Sequence, residues 1–154
     1  MAAKPLITEA ASLYEGLGDR AKVARGQILL GGLAMYEGNF RGAYPMVKKS
    51  VDLFDELGLP APRISLGIIH LELGEYDAAR LQLEAYIAQS RSNRNQSALA
   101  FSLGVLACLA NIEANYREAE QLATESAAIC QETKQTERWI IATGHLGYAG
   151  RALA

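Results

Sequence analysis

Apolar residues recur along almost the whole chain at the three- and four-residue spacing of an amphipathic helix. In the first segment Leu6, Ala10, Leu13 and Leu17 fall on one side of such a helix. No segment alternates between apolar and polar residues with the period of two that a half-buried strand shows. The pattern therefore predicts an all-α protein with about eight helices. Their approximate ranges are 6–17, 20–37, 40–57, 63–73, 76–90, 97–113, 116–133 and 137 to the end of the chain.

Three of these segments have special features. The sixth helix is apolar almost all round, so we expect it at the centre of its packing unit. The fourth is the shortest and follows the rigid connector Leu59–Pro62. Residues 89–97 form the most polar run of the chain, which predicts a mobile loop between the fifth and sixth helices.

A short turn pattern repeats in register along the chain. A small or polar turn residue precedes an aromatic residue, and an alanine follows three positions after the aromatic. The aromatics are Phe40, Tyr76 and Tyr116, and residues 13–18 recur in similar form at 53–58. The resulting period of roughly 36–40 residues is typical of stacked helical repeats. The alanines that follow the aromatics are Ala43, Ala79 and Ala119.

This pattern resembles the tetratricopeptide repeat family. The family favours a leucine ten positions before each aromatic and a small residue nine positions before it, and the small residues here are Gly31, Gly67 and Ala107. The resemblance covers nearly the whole chain and implies antiparallel helix pairs stacked as a right-handed superhelix, an α-solenoid. The repeats depart from the family because most are longer, with about 40 residues instead of about 34. The second is about one helical turn shorter than the others, and no proline closes the repeats.

Long repeats of this kind are similar to the tetratricopeptide regions of bacterial LuxR-type and ATPase-type regulators, although neither an ATPase nor a DNA-binding segment is present here. We interpret residues 1–154 as one helical-repeat domain. Leu146 and Gly147 predict a further turn aromatic at position 156, beyond the last residue. We therefore favour a fragment of a longer array over a complete protein whose pairs are counted from a different helix.

Composition narrows the functional classes. The chain is 50% hydrophobic and 21% charged with a net charge of −2, which favours a soluble domain and argues against a direct nucleic-acid partner. Cys108 and Cys130 match no zinc or redox spacing and are expected to be reduced. No signal peptide is recognisable, and the longest apolar stretch, residues 98–112, is too short to span a membrane. We expect a cytoplasmic protein.

The resemblance also implies a binding surface, because stacked repeats expose a concave face lined by the first helix of each pair. The matching positions are mostly apolar, which suits an amphipathic helix or an extended peptide of a protein partner. The same residues could equally pack on a neighbouring helix or on a second copy of the chain. The carboxylate clamp of some family members is absent, since Ile28 and Gly32 occupy its positions. The candidate groove residues are Arg25, Ile28, Met35, Tyr36, Ile64, Ile68, Leu71, Glu72, Phe101, Cys108, Asn111, Ile141, Tyr148 and Arg151.

Catalysis has little support in the sequence. His70 stands where the family usually has an aromatic residue between helices, and His145 lies on the last helix. No phosphate-binding glycine loop and no His-Glu-x-x-His pattern occurs, so we expect no enzyme, no cofactor and no metal. The first hypothesis is an interaction scaffold within a bacterial regulator. The alternatives are a homo-oligomerisation element and a small-ligand sensor domain.

Overall fold

The computed structural model describes residues 3–133, and this part of the chain is all-helical, with no strand. The predicted all-α class is confirmed, and seven of the expected helices are present. The eighth, from Glu137 onward, lies outside the described residues, as do His145 and the pair Leu146–Gly147. The helices are α1 (Ala3–Gly16), α2 (Arg20–Tyr36), α3 (Phe40–Glu56), α4 (Arg63–Glu72), α5 (Tyr76–Ser92), α6 (Gln96–Ile112) and α7 (Tyr116–Glu132).

Each helix from α1 to α6 is followed by one residue in the left-handed backbone region, with a φ angle between 53° and 77°. These residues follow one another at a constant spacing, except for one shorter step between Gly58 and Gly74. The repeating unit is therefore one helix and one turn, and two such units make the period of the sequence pattern. Four of these positions are glycine, which adopts this conformation without steric cost. The residues are Gly18, Gly38, Gly58, Gly74, Arg94 and Ala114.

The hydrogen bonds of the turns explain why each helix ends and the next begins. After α2 the N–H of Gly38 donates to the Met35 carbonyl, and the N–H of Asn39 donates to the Ala34 carbonyl at 2.8 Å. This pair of bonds is the Schellman closure of a helix. The Asn39 side chain then accepts from the Gly42 N–H at 2.9 Å and caps α3. One polar residue thus closes one helix and opens the next.

Asp19 performs the same task at the start of α2. Its carboxylate accepts a hydrogen bond from the backbone N–H of Lys22 at 3.1 Å. This hydrogen bond is the main reason why the pKa of Asp19 lies below its ordinary value, and the bond from the Lys22 side chain is the second reason. The cap is therefore ionised at neutral pH, which suits the positive end of the helix dipole.

The polar run at residues 89–97 is not the loop that its composition predicts. Helix α5 continues to Ser92 and α6 begins at Gln96, so the connection has the same length as the other turns. Arg94 takes the left-handed position that glycine occupies elsewhere, and the Asn95 side chain caps α6 through the Ala98 N–H. The prediction was wrong because the turn lacks its usual glycine, and because the flanking polar residues lie on exposed helical turns.

The predicted short fourth helix is confirmed. Helix α4 has 10 residues, whereas α2 and α3 each have 17. The connector Leu59–Pro62 precedes it, and Ala61 within that connector is buried in the core. The short length of α4 also explains why Gly58 and Gly74 are closer together in sequence than the other left-handed residues.

The chain divides into two compact units, Met1–Glu75 and Tyr76–Ala154. In the first unit α1 packs on α2, α2 on α3 and α3 on α4. Helices α2, α3 and α4 share one apolar core, whose buried members are Ala34, Ala43, Val47, Val51, Ala61, Leu66 and Ile69. In the second unit α6 lies between α5 and α7.

Helix α6 has the central position that its apolar sequence predicts. It carries nine buried residues, from Leu99 to Ala110. The Ser126 hydroxyl of α7 donates to the Ala100 carbonyl of α6 at 2.7 Å, within the buried contact. Arg80 of α5 donates to the carboxylates of Glu118 and Glu113, and these bonds raise its pKa. Apolar packing and the charged contacts of α5 with α7 therefore hold the second unit together.

The small residues of the repeat pattern stand at close helix contacts. Ala43, Ala79 and Ala119 are all fully buried. Gly31 is buried between α2 and α3, where an added Cβ would lie only 2.4 Å from Cγ2 of Val47. A side chain at this position would therefore push the two helices apart. Among residues 3–133 no helix is both long and apolar enough to cross a membrane.

Candidate functional site

Helix α2 has two faces of opposite character. One face is buried through Val23, Ala24, Gly31 and Ala34. The other exposes a stripe at positions i, i+4, i+7 and i+11, which consists of Arg25, Leu29, Gly32 and Tyr36. Leu29 is 57% exposed and Tyr36 is 92% exposed. We call these four residues the α2 stripe.

Gly32 leaves a gap between the exposed apolar side chains of the α2 stripe. An added Cβ at Gly32 would meet nothing within 4 Å, so the fold of the described chain gives no packing reason for glycine here. A glycine within a helix costs about 1 kcal/mol relative to alanine. The exposed backbone between Leu29 and Tyr36 forms a shallow notch that another backbone could approach closely.

The predicted groove residues of the first unit divide into two groups. Arg25 and Tyr36 on α2 are exposed, whereas Ile28 and Met35 are half-buried and pack against the shared core. On α4, Ile64, Ile68 and Leu71 are half-buried and Glu72 is exposed. Leu29 and Gly32, which complete the α2 stripe, were missed by the sequence reasoning. The signal was available, because both fall at helical spacing between Arg25 and Tyr36.

The predicted groove residues of the second unit lie on one side of α6. Phe101, Cys108 and Asn111 are all half-buried. The Asn111 side-chain oxygen is shielded from solvent, and no hydrogen-bond donor for it occurs within residues 3–133. Cys130, by contrast, is buried in α7. The remaining three groove residues, Ile141, Tyr148 and Arg151, lie outside the described residues.

A cavity of about 310 Å³ opens between α1 and α2. Its wall is mainly apolar, and two cations, Lys22 and Arg25, stand on its α2 side. The Lys22 ammonium lies 3.1 Å from the Asp19 carboxylate and 4.7 Å from the centre of the Tyr14 ring. The lining residues are Ile7, Ala10, Ala11, Tyr14, Lys22, Arg25, Gly26 and Leu29.

A second hollow, of about 410 Å³, is lined by Arg41, Tyr44, Leu73 and Glu75. His70 lies next to it, with Nδ1 at 2.5 Å from the Glu75 carboxylate and its ring edge-on to Tyr44 at 5.5 Å. The imidazole is mostly buried by these contacts. This placement agrees with the packing role that the sequence analysis gave to His70.

Side-chain groupings that could form a metal or catalytic site were sought in the described part of the chain. Within residues 3–133 no three His, Cys, Asp or Glu side chains come together as a metal site would require. Within the same residues, His70 has the Glu75 carboxylate and the Tyr44 phenol ring as neighbours.

Comparison with protein-family models gave no match, and comparison with curated proteins gave none either. The resemblance to tetratricopeptide repeats therefore depends on the turn pattern and its spacing. The described helices are compatible with it, because within each unit consecutive helices pack on their neighbours and the alanines of that pattern are buried.

Proposed function

We propose that the chain is a non-catalytic interaction module of the tetratricopeptide type, which binds a peptide or helix of a protein partner inside a bacterial regulator. The observation that supports this most is the α2 stripe. A leucine and a tyrosine stand exposed on either side of a glycine notch, and an arginine lies at one end. Aromatic and arginine side chains are the residues that most often dominate protein interfaces.

The shape of the stripe favours a helical or extended peptide segment. Apolar residues at helical spacing match the anchors with which amphipathic partners bind. The half-buried α4 residues Ile64, Ile68 and Leu71 belong to the same unit and extend the apolar character beyond α2. Arg25 adds a charge that favours acidic groups on the partner. The region as a whole is a binding surface without catalytic groups.

Binding to selected peptides tests this function. Peptides chosen from a random displayed library for binding to the wild-type chain should lose at least about tenfold in affinity when Tyr36 is changed to glutamate, because interface aromatics often contribute about 2 kcal/mol or more. Ile68→Glu should act in the same direction. Gly32→Gln should also weaken binding by filling the notch, while the helix gains propensity. Fluorescence polarisation would measure each affinity.

Leu81→Glu is the matched control, since Leu81 is also an exposed apolar residue but lies on α5. It should leave peptide affinity unchanged. Far-ultraviolet circular dichroism would show that every variant is folded. If Tyr36→Glu and Gly32→Gln both keep the wild-type affinity, the α2 stripe is not the docking face.

Self-association is a second candidate function, which a different surface favours. Helix α1 and the turn after it expose Leu6, Leu13 and Leu17 in a row, with 63–78% of each residue accessible. Apolar rows of this kind often mark association surfaces. If they pair two copies of the chain, light scattering should give a dimer for the wild type and a monomer for Leu13→Glu. A monomeric wild type at high concentration would rule this function out.

A further inference from the structure

The cavity between α1 and α2 has an apolar body and a cationic side. Its apolar wall comes from Ile7, Ala10 and Leu29, and Tyr14 adds an aromatic surface. Lys22 and Arg25, one turn apart on α2, supply the charge. Such a division of apolar and charged surface is typical of pockets that bind an amphipathic molecule in one orientation.

The two cations are not equivalent. Lys22 forms an ion pair with Asp19 and lies over the Tyr14 ring, so it already has an anionic partner. The Asp19 hydrogen bond also raises the pKa of Lys22, which keeps the ammonium protonated. Arg25 is exposed, and its guanidinium forms no ion pair or hydrogen bond within the described residues. Among residues 3–133, no carboxylate is in direct contact with this guanidinium at the rim of the cavity.

A guanidinium is a planar donor that matches a carboxylate with two parallel hydrogen bonds. The cavity volume of about 310 Å³ lies at the lower end of the range of roughly 300–1,000 Å³ for ligand pockets. A space of this size fits one short apolar chain. We infer that the cavity is a binding site for a small amphipathic carboxylate, with the carboxylate on Arg25 and the apolar chain along Ile7, Ala10 and Leu29.

The site is distinct from peptide docking, although Arg25 and Leu29 contribute to both surfaces. Tyr36 and Ile68 are not part of the cavity lining. Tyr36→Glu should therefore retain carboxylate binding even where it abolishes peptide binding. Loss of peptide binding and loss of carboxylate binding can therefore be distinguished by experiment.

Titration with sodium octanoate, 1-octanol and sodium acetate tests the inference. Amide chemical shifts of the wild-type chain should move along α1 and the first half of α2 with octanoate. Octanol, which lacks the charge, and acetate, which lacks the chain, should each bind at least about tenfold more weakly, as expected for the loss of a charged hydrogen bond or of most of the apolar contact.

Arg25→Gln should weaken octanoate binding by about tenfold or more, with little effect on folding because the side chain is exposed. Arg41→Gln is the matched control, as Arg41 is an exposed arginine on α3 that lines the other hollow. Ala10→Leu should block binding by filling the cavity. Equal affinity for octanoate and octanol, unchanged binding by Arg25→Gln, or shifts that fall outside α1 and α2 would overturn the inference.

Discussion

Replacing Leu109 by alanine should lower the free energy of unfolding by about 2–5 kcal/mol, the range found when a buried leucine is truncated. Leu109 is completely buried on α6, which lies between α5 and α7. The loss combines the apolar area returned to water with the cavity left among neighbours that can move only partly. Urea denaturation followed by circular dichroism would measure the change.

Leu81→Ala is the matched control in the same unit. Leu81 lies on α5 and is 66% exposed, so its truncation should change stability by no more than about 0.5 kcal/mol. A loss for Leu109→Ala as small as that for Leu81→Ala would contradict the central position of α6. Hydrogen exchange of the α6 amides would report the same loss locally.

Replacing Gly31 or the adjacent Gly32 by alanine should have different effects on the stability of the chain. Both changes remove about 1 kcal/mol of helix-propensity penalty. At Gly31, however, the new Cβ would lie 2.4 Å from Cγ2 of the buried Val47, and Val47 is stiff because it branches at Cβ. Overpacking of this kind costs about 1–3 kcal/mol. At Gly32 the Cβ enters open space.

We therefore expect Gly32→Ala to stabilise the chain by about 0.5–1 kcal/mol and Gly31→Ala to be less stable than Gly32→Ala by about 1–3 kcal/mol. The propensity term cancels in this difference, so thermal or urea unfolding of the two variants isolates the steric contact. Val47→Ala combined with Gly31→Ala should recover part of the loss, because the clashing methyl group is gone. Equal stability of the two single variants would show that α2 and α3 are not in close contact at Gly31.

The turn motif explains why so much of the fold could be predicted from sequence. Gly38 and Asn39 mark a helix end and a helix start by conformations that few other residues favour. Helix α6 could be placed at the centre because apolar residues cover all its sides, which a surface helix does not tolerate. These local signals do not depend on distant parts of the chain.

The errors arose where local signals were missing or misleading. Arg94 adopts the left-handed turn conformation without being glycine, so the polar run around it indicated a loop. Gly31 and Gly32 are indistinguishable by composition, and only the position of Val47 shows that one is a packing contact and the other an open notch. Ile28 and Met35 belong to the predicted groove but are half-buried against the core. Which side of an apolar helix remains exposed depends on its neighbours.

The most direct test of the proposed function is a map of where a bound peptide contacts the chain. Amide and methyl chemical shifts of the wild-type chain, recorded with and without the tightest selected peptide, would supply it. We predict that the largest shifts fall on residues 25–36 of α2 and on the half-buried residues of α4. Shifts confined to the α1 row of Leu6, Leu13 and Leu17, or to the turns at Gly38 and Gly74, would contradict it.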